Sequence, residues 1–102
     1  MKKTTLSYHQ VEMIETLTLV ELCRFCHVGQ DWIVTLVEHG VLEPYGPDAA
    51  DWRFDPVNVA RARKSQHLVR DFGLNAAGLA LVLELMDERD ELARKLAQVI
   101  DG

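Results

Sequence analysis

Cys23, Cys26 and His27 stand in the order C-x-x-C-H within the stretch ELCRFCHVGQ. At that spacing two thiols can carry a haem through thioethers, with the histidine as an iron ligand. A dithiol can also act as a redox pair when it opens a helix, where the thiolate is stabilised. As part of a structural zinc site it would need about four ligands. None of these conditions is met. His9, His39 and His67 are scattered singly, and no second Cys or His pair accompanies the first. The two cysteines lie inside a segment that reads as a capped helix. There Leu19, Leu22, Cys23 and Cys26 fall at i, i+3, i+4 and i+7 and make one apolar stripe. Cysteine in such a stripe is a small buried hydrophobe, and no cofactor is expected.

Other catalytic arrangements are missing too. No serine or cysteine nucleophile is paired with a base, and no glycine-rich phosphate loop occurs. Asp87, Glu88, Asp90 and Glu91 form an acidic run, the pattern of a solvated helix face. The chain is not expected to be an enzyme. Its 102 residues fit one domain with a helical extension. With 11 basic and 16 acidic residues the formal charge is -5, which disfavours nucleic acid or an anionic membrane and suits a basic protein partner or simply solubility. Lys2 and Lys3 are not followed by an apolar run of about 7 to 15 residues, so a signal peptide is not expected. No run of about 18 apolar residues predicts a membrane span. A cytoplasmic location follows, with both thiols reduced.

Punctuation along the chain predicts the elements that carry these residues. A short strand is expected near Thr5 to Tyr8. Thr18 and Glu21 form a capping box that opens a helix from Leu19 to about Cys26. Gly29 supplies a turn and an N-cap. A second helix over QDWIVTLVEHG ends at Gly40 and buries Ile33, Leu36 and Val37. Pro44, Gly46 and Pro47 break the chain. DWRF is then a short extended piece that pairs with Val41–Leu42 in a small hairpin. Asp55-Pro56 starts a third helix, which stops at Gly73. Asn75 caps a fourth, from Ala76 to about Ile100. Along it Val82, Leu85, Leu92, Leu96 and Val99 follow steps of three and four, with Arg89 filling one slot. That is a coiled-coil seam of just over two heptads, and it predicts a homodimer. Residues 1–74 thus form one domain with an N-terminal strand, and 75–102 a dimerisation helix. Trp32 flanks the apolar face of the second helix, while Trp52 and Phe54 alternate with Arg53 and should face the core. Arg61, Arg63, Lys64 and Arg70 give the third helix a basic side that pairs with acidic neighbours.

Two short helices, a tight turn, a hairpin wing and a further helix make a mainly α, winged helix-turn-helix plan. Residues Thr18 to Pro44 resemble the N-terminal half of the MerR family, with Thr18, Leu22, Val28, Ile33, Glu38, Gly40, Leu42 and Pro44 at positions of that family's pattern. DWRFD resembles its wing, and the last helix its dimerisation helix. A DNA-reading second helix needs Arg or Lys for phosphates and base edges. From Phe25 to Trp52 there is neither, and the window holds Asp31, Glu38, Glu43, Asp48 and Asp51. A narrower resemblance fits both facts. LVEHGVLEP, DWRFD and GLALVLELMDERDEL resemble the chaperone modulatory protein family, CbpM. That resemblance implies a regulator that binds the J-domain of a DnaJ-type co-chaperone, CbpA, and competes with DnaK for it. The alternative is a MerR-type DNA-binding transcriptional regulator.

The resemblance implies the partner, and the sequence supplies the sign of the surface it meets. J-domains present a basic helix, which an acidic surface would attract. Two sets of carboxylates qualify: Asp31, Glu38, Glu43 and Asp51 on the helix-turn-helix and wing, and Glu84, Asp87 and Glu88 on the last helix. The linear pattern does not choose between them.

Overall fold

The computed structural model describes residues 15–101. The strand expected near Thr5 to Tyr8 lies outside them. In order the elements are β1 (Leu17–Thr18), α1 (Leu19–Cys26), α2 (Gln30–Glu38), a 3₁₀ turn (Ala49–Asp51), β2 (Arg53–Phe54), α3 (Pro56–Phe72) and α4 (Ala76–Asp101). The molecule is mainly helical with a two-stranded sheet, the MerR-like winged plan expected from the sequence.

Each helix begins and ends where its local chemistry dictates. At α1 the Glu21 amide donates to Thr18 Oγ1 at 3.2 Å, and the Thr18 amide donates to Glu21 Oε1 at 2.8 Å. This reciprocal cap satisfies two amides that would otherwise lack partners. Past its last turn His27 adopts the left-handed conformation, φ 60°, so that its own amide and that of Val28 both donate to Cys23 O. Gly29 opens α2 directly after this turn. Asp55 accepts from the Asn58 amide at the head of α3 and Pro56 occupies the first helical position. Gly73, φ 66°, ends α3. Asn75 Oδ1 accepts from the Gly78 amide at the start of α4.

The strand pairing differs from the sequence expectation. β2 runs antiparallel to β1, with Leu17 opposite Phe54 and Thr18 opposite Arg53, and a single bridge joins Tyr45 to Arg53. Val41 and Leu42 take no part. Their amides donate to Leu36 O and close the end of α2, while their side chains are buried in the core. Two fully buried apolar residues whose amides already cap a helix cannot also supply the edge of a wing.

The core draws on every helix. Leu19, Leu22 and Cys23 meet Ile33 and Leu36, Val41 and Leu42, Phe54, Ala62, and Ala76, Leu79 and Leu83. Each of the large side chains contributes about 1.5–3 kcal/mol by leaving water. Ser65 is fully buried and its hydroxyl donates to Arg61 O at 2.8 Å. Trp52 stands edge-on to Phe54, with ring centroids 6.1 Å apart. Trp32 is half-buried and its indole N–H donates to Gln66 Oε1 at 2.6 Å, so it ties α2 to α3. The first turns of α4 belong to the same core, whereas every residue from Asp87 to Asp101 is exposed.

Candidate partner-binding site

The turn that follows α2, the side of α3 and one face of α4 line a groove of about 610 Å³. On α4 the lining positions include Ala80, Glu84, Asp87, Glu88, Glu91 and Lys95. Steps of three and four residues keep them on one side of the helix. Four carboxylates therefore face one concavity, against the basic residues Arg61 and Lys95. Arg61 is the hinge pin. Its Nε donates to Val41 O at 2.8 Å and its Nη2 to Asp87 Oδ2 at 3.2 Å, which joins the end of α2 to α3 and α4. Glu91 pairs with Arg94 at 3.3 Å and Lys95 at 3.7 Å. Among the described residues Glu84 and Glu88 have no ion pair within 4.0 Å. His39 lies at the rim, its Nδ1 2.9 Å from Thr35 O.

Of the acidic residues singled out in the sequence, Glu84, Asp87 and Glu88 come together in this groove. The others do not line it. Asp31 sits in the first turn of α2, Glu38 is the last residue of that helix, and Asp51 ends the 3₁₀ turn. Glu43 is in the loop between, where its amide donates to Asn58 Oδ1 at 2.8 Å. All four side chains belong to exposed residues. Glu91 completes the acidic face; the sequence places it only in the acidic run, although its spacing from Glu84 and Glu88 puts it on their side of the helix. Arg61 and His39 come from other elements, and no pattern along α4 points to them.

The apolar seam adjoins this face of α4 and shares Leu92 with the groove. Val82 is half-buried, whereas Leu85, Arg89, Leu92, Leu96 and Val99 are exposed. On α1 the two thiols behave as packing groups. Cys23 is buried and Cys26 half-buried on the inward stripe of α1. Burial pushes both thiols above the ordinary value; at Cys26 the proximity of Cys23 adds to this and Arg63 opposes it. A nucleophilic or ligating cysteine needs the reverse shift. Among the described residues no three His, Cys, Asp or Glu side chains gather in a way that could hold a metal ion, and no helix is long and apolar enough to cross a membrane.

The fold and the groove together define a winged helix-turn-helix domain whose second helix lacks basic residues and whose last helix carries an acidic face. Residues 17–99 match the model of the MerR HTH family of regulatory proteins. The chain is 33% identical over 86 residues to a chaperone modulatory protein CbpM of Coxiella burnetii (strain Dugway 5J108-111), covering 84% of this chain and 81% of that one. It is 39% identical over 83 residues to the CbpM of Pseudomonas entomophila (strain L48), covering 78% of this chain and 79% of that one. With the CbpM of Salmonella paratyphi B it shares 32% identity over 77 residues, or 76% of each chain. The chain belongs to the chaperone modulatory protein family, CbpM, which has the MerR-type helix-turn-helix fold.

Proposed function

We propose that this chaperone modulator binds the J-domain of a DnaJ-type co-chaperone, of the CbpA kind, through the acidic groove of α4, and that it acts by keeping DnaK from the same basic surface. The observation that carries this reading is the convergence of Glu84, Asp87, Glu88 and Glu91 on one concave face, with Glu84 and Glu88 free of ion pairs among the described residues. Unpaired carboxylates in a groove hold a local negative potential that steers a cationic partner. The other acidic set, Asp31, Glu38, Glu43 and Asp51, lacks such a shared concavity with them. Docking is therefore assigned to α4, and the protein acts as a binding partner in the cytoplasm with no catalytic step.

An NMR titration with a J-domain, with both proteins assigned, tests this directly. Shifts should cluster at Glu84, Glu88 and the end of α2. Glu84→Lys with Glu88→Lys should weaken binding about tenfold or more, with the remaining affinity less sensitive to salt. Shifts confined to α2 and the wing would move the site to the other carboxylates. Tight, salt-sensitive binding of duplex DNA without any response to the J-domain would favour a transcriptional role instead.

A further inference from the structure

On the side of the molecule formed by α1 and α3 the charge has the opposite sign. Arg24 and His27 at the end of α1 face Arg63, His67 and Arg70 of α3 across a groove of about 510 Å³. The three α3 positions are spaced i, i+4 and i+7, so they form one row. Asp71 pairs with Arg70 at 3.4 Å on the outer rim, where both side chains are more than half exposed. Among the described residues Arg24 and Arg63 have no carboxylate within 4.0 Å. The Arg63 guanidinium instead lies over the Phe25 ring, 5.3 Å from its centroid. Phe25 is 45% exposed for a large apolar side chain. This Phe25–Arg63 pair also walls a second, almost wholly apolar groove of about 400 Å³, bounded by Leu17, Pro56, Val59 and Ala60 with Glu15 at its edge. A cationic row and an apolar slot therefore meet at one stacked pair.

We infer that this face is a second docking surface, and that it takes an acidic segment of a partner protein, with carboxylates along the Arg24–Arg63–Arg70 row and an apolar residue in the adjoining slot. Guanidinium groups favour carboxylates through charge-assisted hydrogen bonds. An aromatic ring under an arginine holds it in place for a ligand. Nucleic acid fits less well. A duplex would meet the net charge of -5, and α2, the helix at the reading position, has no Lys or Arg. A short acidic segment meets chiefly the local field, because charges beyond about 8 Å are screened at physiological salt. The sugar-phosphate backbone also has nothing apolar to fill the slot.

Fluorescence anisotropy on the full chain tests the assignment. The probe is a short labelled peptide with Glu at i, i+4 and i+7 and a Phe one turn before the first Glu. Its Lys-for-Glu counterpart and a labelled DNA duplex are measured alongside. The acidic peptide should bind, less tightly as salt rises, and the basic peptide should not. Arg63→Glu with Arg70→Glu should weaken binding about tenfold or more, and Phe25→Ser should weaken it without changing the salt dependence. The variants should keep the circular dichroism spectrum of the parent chain, since all three substituted residues are exposed. No binding of the acidic peptide, binding indifferent to the charge reversal, or tighter binding of the duplex would overturn the inference. So would self-association abolished by the same reversal, since that would give the groove to the acidic helix of a second copy.

Discussion

At the scale of single residues, the C-x-x-C-H signature shows how a motif loses its chemistry to its setting. The thiols lie on the inward side of α1, and burial raises their pKa values. A thiol whose pKa is raised by folding contributes stability that is fully present below the unfolded value, about 8.5. That contribution is lost as pH rises from there through the folded value, because the unfolded chain ionises first. The urea midpoint should therefore fall as pH rises above about 8.5, and a Cys23→Ala, Cys26→Ala double variant should fall less over the same interval. An equal decline in both would show that the thiols are not held protonated by the fold. His27 offers a second test. Its φ of 60° is strained for a residue with a Cβ, and it exists to let two amides reach Cys23 O. His27→Gly should stabilise the protein by about 0.5–1 kcal/mol, read as an increase in thermal midpoint. A decrease would mean that the imidazole makes a contribution larger than the strain.

At the scale of elements, Arg61 and Asp87 separate two interactions that look alike on paper. Arg61 donates to the carbonyl of Val41, a residue 3% exposed, and to the carboxylate of Asp87, whose side chain is 56% exposed. Removing a donor from a buried carbonyl costs about 1–3 kcal/mol, whereas an exposed ion pair is worth about 0–1 kcal/mol. Arg61→Ala should thus lower the denaturation midpoint clearly, and Asp87→Asn barely; equal losses would place the energy in the ion pair. This bond also marks where the sequence stopped being legible. Helix boundaries were readable from local punctuation: Thr18 with Glu21, Asp55-Pro56, Gly73 and Asn75 all act within a few residues of themselves. The wing pairing was not, because Phe54 meets Leu17, far away along the chain, and nothing near Val41 announces that its amide closes α2. The acidic face of α4 was half legible, since periodicity aligns Glu84, Glu88 and Glu91 while the wall opposite comes from α2 and α3. The cationic row was half legible in the same way: Arg63 and Arg70 belong to the basic side of α3 expected from the sequence, but Arg24 and His27 join them only through the packing of α1 on α3.

At the scale of the whole molecule, α4 is two helices in one. Ala76, Leu79 and Leu83 anchor its first turns in the core, and from Asp87 to Asp101 every residue is exposed, with the Arg61–Asp87 ion pair at the start of that stretch. An isolated helix of about 12–15 residues is marginal in water even with favourable composition. Leu85 at 54%, Leu92 at 64%, Leu96 at 59% and Val99 at 77% exposure continue the apolar seam into this unsupported stretch. Pairing two copies along the seam would remove that surface from water and supply the missing support, and Arg89 can reach solvent from within it by extending its aliphatic stem. The acidic groove adjoins the seam and shares Leu92 with it, so Glu84, Glu88 and Glu91 flank the paired surface. We predict a homodimer. Light scattering should give twice the chain mass, and the thermal midpoint should rise with protein concentration. Leu92→Glu with Leu96→Glu should yield a monomer that loses helical circular dichroism from the end of α4 while the core still unfolds cooperatively. A single-chain mass at high concentration, or a double variant that stays dimeric and fully helical, would show that something else covers this helix.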